Sequence, residues 1–228
     1  MTRLALVVPL VLSAVLLVMG VPRMVASVLK APAHRTVLLA ERGKMVETTA
    51  LARASTYLER AAGWEHSAAL LGALGLVRLV QGYEAGRGAP AVAKGPDPID
   101  EAAERLGEAL RLSPVRPHPW VHLAYARTLQ AADPNELAGL LVQSVRTGPY
   151  VAEIAVIRLD LLLRLWRHIT PELRLYTLKQ VRFVWPQARH RLLRLVRTTP
   201  RPELIRLALR RDPEALEQVE SAIARRGS

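Results

Sequence analysis

Two histidines four positions apart are the first candidates for chemistry. In a helix, the spacing of His118 and His122 can place both imidazoles on one face, as in many zinc sites. Pro119, however, puts His118 at or before the start of the helix. The chain has no Cys, and no neighbouring carboxylate completes a tetrahedral ligand set. We therefore predict no metal site and interpret both histidines as structural or solvent-exposed.

A second candidate is the acidic group Asp100, Glu101 and Glu104. These residues fall in the first turn of a predicted helix, where the positive end of the helix stabilises carboxylates. The sequence has no phosphate-binding glycine loop, no Gly-x-Ser-x-Gly elbow and no His-Glu-x-x-His pair. We therefore predict no catalytic residue, no cofactor and no enzymatic activity. An envelope enzyme that uses scattered histidines and carboxylates is the enzymatic alternative.

The tryptophans could form stacking platforms for sugars or bases. Trp120, Trp166 and Trp185 each fall on an apolar stripe, so we predict that they fill the space between helices. Trp64 is less constrained by its neighbours.

The elements that must position these residues are predicted to be helices. The chain has 228 residues, half of them hydrophobic, but only 4% aromatic. A composition rich in Leu, Ala and Arg favours an all-α fold and excludes an all-β protein. The net charge of +12 indicates anionic surroundings such as lipid headgroups, acidic polymers or nucleic acid.

The amino terminus contains an uncharged run. Leu4 to Pro22 spans 19 positions, and a helix of that length covers about 28 Å, close to the thickness of a bilayer core. We predict a transmembrane signal anchor within residues 1–30. The alternatives are a cleaved signal peptide, with Ala31-Pro32-Ala33 as the cleavage site, and a buried core helix.

The charges that flank this run leave the orientation open. Arg3 precedes it, and five cations follow it: Arg23, Lys30, Arg35, Arg42 and Lys44. An excess of cations normally marks the cytoplasmic side. Large domains, however, translocate largely regardless of their charge, and a short tail bearing Arg3 suits a cytoplasmic stub.

One helix-start signal recurs along the chain. Each instance puts a side-chain oxygen at the N-cap and proline at the first helical position. The four pairs, at intervals of 36, 37 and 42 residues, are Asp97-Pro98, Asp133-Pro134, Thr170-Pro171 and Asp212-Pro213. A second proline is predicted to end each of the first three helices, at Pro114, Pro149 and Pro186. The period predicts stacked helical hairpins.

Part of this pattern resembles the tetratricopeptide repeat (TPR). Its second helix reads Ala, three residues, a large apolar residue, two residues, Ala-Leu and then Pro. The chain matches at Ala102, Leu106, Ala109, Leu110 and Pro114. The next repeat is matched by Trp120, Leu123 and Ala124, and then by Leu141, Ser144, Val145 and Pro149. The resemblance implies a TPR-like α-solenoid. We predict a transmembrane segment at 1–30, a TPR-like domain at 36–186 with a loop at 82–96, and a basic helical cap at 187–228.

The resemblance also implies a binding surface and a function. A TPR-like groove binds a peptide or helix of a partner, and here His118, Val121, Tyr125 and Thr128 would line it. With the anchor, the order of features is similar to single-pass accessory proteins encoded with bacterial exopolysaccharide biosynthesis genes. This likeness implies a non-enzymatic scaffold in the bacterial inner membrane that binds protein partners of the envelope or polysaccharide machinery. The side of the membrane on which the helical domain lies is left open, and we prefer the periplasm.

The carboxyl-terminal third predicts an alternative function. Residues 151–228 contain 16 Lys and Arg against 8 Asp and Glu. By helical spacing, His190, Arg194 and Arg197 share one face, and Arg206 and Arg210 pair in the same way. These five residues form the candidate basic surface. Such a surface could bind anionic lipid, acidic polysaccharide or nucleic acid, and the anchor argues against nucleic acid.

Overall fold

The computed structural model describes residues 2–88 and 96–225, and every regular element among them is helical. The expectation of an all-α fold is therefore confirmed. The helices are α1 Thr2–Lys30, α2 His34–Glu41, α3 Thr48–Ala62, α4 Ala68–Gly86, α5 Pro98–Leu112, α6 Pro117–Leu129, α7 Pro134–Thr147, α8 Ala152–Arg164, α9 Pro171–Thr198, α10 Pro202–Leu209 and α11 Pro213–Ala224.

The chain forms two compact units, Met1–Leu112 (unit 1) and Ser113–Ser228 (unit 2). Their border lies inside the segment 36–186 that the sequence assigns to one repeat domain. The other expected border, at 186–187, lies next to a kink at Ala188 that separates two helical segments of α9.

Unit 1 begins with a long helical rod. The 3-10 turn Ala31–Ala33 joins α1 to α2, and the helical backbone angles of Lys30 and His34 keep the chain running in one direction. Within this rod, Val15–Glu41 is long and apolar enough to cross a membrane. A signal sequence or a core helix can satisfy the same criterion.

The side chains of this rod divide into an exposed part and a packed part. Those of Val15–Met19 are exposed, whereas Ala26 is fully buried in a core that includes Leu51, Leu58 and Ala61 of α3. The rod thus packs on α3 around Ala26, whereas the apolar side chains of Val15–Met19 remain uncovered by the described residues.

Helix α4 packs between α3 and α5. It continues to Gly86, so the expectation of a loop from residue 82 is wrong, and residues 89–95 of that loop lie outside the described part. Gly82 marks close helix packing: a Cβ there would lie 2.6 Å from Cγ1 of Ile99 on α5. Gly75, seven residues earlier, approaches Leu106 in the same way. These glycines let the two helix backbones lie close together.

All four predicted N-caps are confirmed. Asp97, Asp133, Thr170 and Asp212 each accept a hydrogen bond from a backbone N–H in the first turn, at distances between 2.7 and 3.3 Å. Each bond satisfies a donor that the start of a helix leaves without an intrahelical partner.

Unit 2 consists of paired helices. Helix α6 packs on α7, α8 packs on both of these and on α9, and α10 and α11 pack on α9 and on each other. The first two predicted proline stops, Pro114 and Pro149, lie just beyond α5 and α7. The third, Pro186, lies two residues before a kink at Ala188 (φ −144°), where two helical segments meet within α9. A proline disrupts the turn around it without having to end the helix.

The tryptophans take different positions. Trp166 and Trp185 are half-buried against the two cores of unit 2, as the sequence predicts. Trp120 is also half-buried, and its indole N–H donates to the carbonyl of Pro114 over 2.8 Å. Trp64 in unit 1 is 53% exposed.

The close approach of α4 and α5 yields a matched pair of tests. Gly82→Ala should destabilise the full chain by about 1–3 kcal/mol, because its Cβ overlaps Ile99. Gly107→Ala should stabilise it by up to about 1 kcal/mol, because a Cβ there has no neighbour within 4 Å and Ala is the better helix former. Denaturant unfolding in detergent micelles, followed by circular dichroism, measures both. Equal effects of the two substitutions would contradict the packing role of Gly82.

Candidate functional site

The most unusual side chain of unit 2 is a buried arginine in α8. Ile154, Ala155, Leu159 and Leu162 form the buried face of this helix. Arg158 lies on the same face and has no exposed surface. The sequence analysis did not single it out. The available signal was a cation four residues after Ile154 and four before Leu162, in phase with an apolar stripe.

One amino group of this guanidinium binds the end of α7. Arg158 Nη2 donates to the carbonyls of Ser144 and Gly148, both over 3.0 Å, and lies 3.0 Å from Ser144 Oγ. These carbonyls belong to the carboxyl-terminal end of a helix, which carries partial negative charge. The cation therefore caps α7 from the neighbouring helix.

The other amino group connects α8 to α9. Arg158 Nη1 donates to Tyr176 Oη over 2.9 Å, and to Gln180 Oε1 and the carbonyl of Pro149, both over 3.3 Å. The Tyr176 hydroxyl also contacts Gln180 Oε1 and the Pro149 carbonyl. Three segments thus meet at one guanidinium: the end of α7, α8 and α9.

This network contains no carboxylate among the contacts described. Burial lowers the pKa of Arg158 from its ordinary value, and the Tyr176 phenol acts in the opposite direction. Burial likewise raises the pKa of Tyr176, and the nearby guanidinium opposes that shift. Oriented carbonyls thus replace a counter-ion. The network can position helices.

Unit 1 has a second arginine-centred network. Arg78 on α4 pairs with Glu59 on α3 and, through its Nε at 2.7 Å, with Glu101 on α5. Its Nη1 also lies 3.2 Å from Gln81 Oε1. Each unit therefore has an arginine that ties three helical segments together, with carboxylates in one and carbonyls in the other.

The predicted groove residues all lie on α6, but they differ in exposure. His118, Tyr125 and Thr128 are half-buried. Val121 is fully buried in the core that includes Leu137, so it offers no surface to a partner and must be removed from the groove set. The Thr128 hydroxyl donates to the Ala124 carbonyl over 2.8 Å. Only His118, Tyr125 and Thr128 retain accessible surface.

The histidine pair forms an edge-on contact. The rings of His118 and His122 lie 6.3 Å apart between centroids, with a 61° interplanar angle. Burial lowers the pKa of His122 to about 3, and His118 adds to the shift. His122 is therefore a neutral core residue. No group of three or more potential metal ligands occurs within the described ranges.

The predicted basic residues divide into two sets. His190, Arg194 and Arg197 are exposed on the last turns of α9, whereas Arg206 is exposed on α10 and Arg210 just after it. Arg206 Nη2 binds Glu220 Oε2 on α11 over 2.7 Å, so its charge is already paired. The other four take part in no ion pair of 4.0 Å or less among the described residues.

A half-buried arginine that the sequence analysis missed lies beside this surface. Burial lowers the pKa of Arg191, and the neighbouring Arg194 guanidinium adds to the shift. Like charges therefore lie close together on the end of α9, which an approaching anion would stabilise.

An open cleft adjoins the same turns of α9. Its volume is about 310 Å³, and Leu193 and Ala222 supply its apolar surface. Arg197 and Arg225 contribute cations, but Glu214 and Glu217 line it as well. The mixture of charges distinguishes the cleft from the cationic face beside it.

Comparison with known proteins adds no assignment, since no family model and no curated protein matches the chain.

The Arg158 network predicts a large effect on stability. Arg158→Met should destabilise the full chain by on the order of 3 kcal/mol, because buried carbonyls lose their donor. Arg164→Met, in the same helix, should cost less than about 1 kcal/mol, since Arg164 forms a half-exposed ion pair with Asp160. Urea unfolding in detergent micelles measures both. If Arg158→Met lowers the free energy of unfolding no more than Arg164→Met does, the role of Arg158 in joining α7, α8 and α9 is refuted.

His122 predicts a pH dependence. Its pKa is about 3 in the fold and about 6.5 when unfolded, so below pH 6.5 protons bind preferentially to the unfolded chain. Its contribution to stability is complete above pH 6.5 and falls by about 1.4 kcal/mol for each pH unit below that. His122→Asn should remove this pH dependence of the unfolding free energy. His190→Gln, at an exposed position, should leave it unchanged. Unfolding free energies at about pH 7.5 and about pH 5.5 decide the point, and an unchanged slope in His122→Asn would contradict it.

Proposed function

We propose that the protein is a non-enzymatic, membrane-anchored helical scaffold that binds protein partners. The observation that carries this proposal is the exposure of the apolar side chains Val15–Met19 in a helix that continues without reversal into unit 1. A core helix would bury them. An anchor exposes them to lipid, which supports residues 1–30 as a transmembrane segment.

The paired helices of unit 2 support partner binding. Stacked hairpins of TPR type hold peptides or helices in a groove. His118, Tyr125 and Thr128 lie on one helix of such a pair and retain part of their surface. An aromatic side chain with accessible surface, such as Tyr125, is typical of an interface anchor.

The biological setting rests on the likeness to exopolysaccharide accessory proteins. On this basis we propose the bacterial inner membrane as the location, with protein components of the envelope or polysaccharide machinery as partners. We favour the periplasmic side for the helical units. The absence of a catalytic role is part of the same proposal.

A second candidate function is supported by the end of α9. His190, Arg194 and Arg197 are exposed and take part in no described ion pair, and Arg191 lies beside them. This basic face could bind an anionic lipid surface or an acidic polysaccharide, and nucleic acid is disfavoured by the anchor. In this function the membrane helix would hold a cationic adaptor close to its polymer.

Photo-crosslinking in cells separates the two functions. A benzoylphenylalanine at Tyr125 should give a discrete protein adduct, and the same probe at the exposed Lys179, on α9, should not. For the scaffold, the Tyr125 adduct should persist in membranes washed at high salt before irradiation. No adduct at Tyr125, or the same adduct at both positions, would refute the groove. The adaptor function would be favoured if high salt releases acidic polymer from the purified protein and if the Arg194→Gln variant no longer retains that polymer.

A further inference from the structure

One end of unit 1 lies next to the exposed part of α1. The rod from α1 to α2 runs in one direction to Glu41, and a short connection with Gly43 at φ 61° then reverses the chain into α3. Helices joined by so short a loop pack antiparallel. Helix α3 has 15 residues, so its carboxyl terminus lies about level with the residue 15 positions before Glu41. That residue is Ala26, the buried residue of α1.

Helix α5 ends at the same place. Gly82 faces Ile99 and Gly75 faces Leu106, so α4 and α5 are antiparallel. Leu112 at the end of α5 is therefore opposite the start of α4. A close contact confirms this register, since His66 Nε2 in the α3–α4 turn lies 3.2 Å from Glu108 Oε1 on α5. We call this part of unit 1, formed by residues 23–24, 60–67 and 108–112, the Trp64 end.

Large apolar side chains at the Trp64 end are exposed. Met24 is 63% exposed, Trp64 53% and Leu112 47%. All three lie within about two helical turns of the level of Ala26. They therefore lie at the end of unit 1 from which the exposed part of α1 extends.

Each of these apolar side chains has an arginine within four residues in the sequence. Arg23, Arg60 and Arg111 are exposed and form no ion pair with any described residue. The acids of this end are Glu65, which is half-buried, and Glu108, which pairs with His66 and Arg105. Trp among Arg side chains next to an apolar helix is the composition that proteins use at the bilayer–water interface.

We propose that the Trp64 end lies in the headgroup region of the bilayer that holds α1, with Trp64 inserted as the interfacial anchor. The indole places its ring among the upper acyl chains and its N–H among polar headgroups. The three arginines bind lipid phosphates. This inference rests on the proposed membrane anchor.

The test uses the full chain reconstituted into phosphatidylcholine vesicles with a fraction of phosphatidylglycerol. Vesicle flotation first measures membrane insertion. Tryptophan emission is then compared between ordinary vesicles and vesicles whose lipids are brominated near the headgroup. Contact of one Trp of the four should quench about a quarter of the emission. Trp64→Phe should abolish the quenching, and Trp120→Phe, in unit 2, should preserve it.

The outcomes distinguish this inference from the function beneath it. A chain that floats but shows no quenching, or quenching that persists in Trp64→Phe, overturns the interfacial role and leaves the anchor intact. A chain that does not float overturns the anchor and this inference together. A second variant, Arg60→Gln with Arg111→Gln, should weaken the quenching at least twofold in vesicles with phosphatidylglycerol. An unchanged value would remove the arginines from the lipid contact.

Discussion

The arrangement of unit 2 depends on one buried cation that is held by carbonyl groups. A guanidinium taken out of water loses several kcal/mol of hydration, and only good geometry with further hydrogen bonds offsets that loss. At Arg158 the compensation comes from the end of α7 and from two polar side chains of α9. The planar fork of arginine can reach several acceptors at once, which the single ammonium of lysine cannot do. The loss of hydration is offset only when all of these acceptors are in place, so the burial of Arg158 fixes the relative positions of α7, α8 and α9.

Two other arginines of unit 2 also donate to carbonyls at helix ends, and this reduces the number of cations that are available to a ligand. Arg174 Nε donates to the carbonyl of Trp166, just after α8, over 3.0 Å, and Arg182 Nε donates to the carbonyl of Ala208 in the last turn of α10 over 2.8 Å. With Arg158, three arginines of the basic third bind carbonyls at helix ends. A count of charges from the sequence therefore overstates the positive charge that remains for a ligand. The part that remains concentrates on the last turns of α9.

The predictability of each feature depends on how local its cause is. The four N-caps were predictable because a side chain, a proline and the next backbone N–H groups lie within four residues. The course of α4 past Gly82 was not, because a glycine that ends a helix and one that admits a neighbouring helix look alike in sequence. Arg158 depends on the ends of other helices, and Val121 on which face of α6 meets the core. Only the packed fold shows these causes.

The continuity of α1 with unit 1 constrains how the protein can sit on a membrane. The apolar length of a helix sets neither its tilt nor its rotation, and both depend on packing and on interfacial side chains. Here Ala26 is locked in the core of unit 1, and α2 packs on α3 and α4. The rod therefore cannot tilt without carrying unit 1 with it. If α1 spans a bilayer as we propose, contacts between the Trp64 end and headgroups act on the same rigid body as α1, and lipid contacts and protein packing together fix the orientation of unit 1.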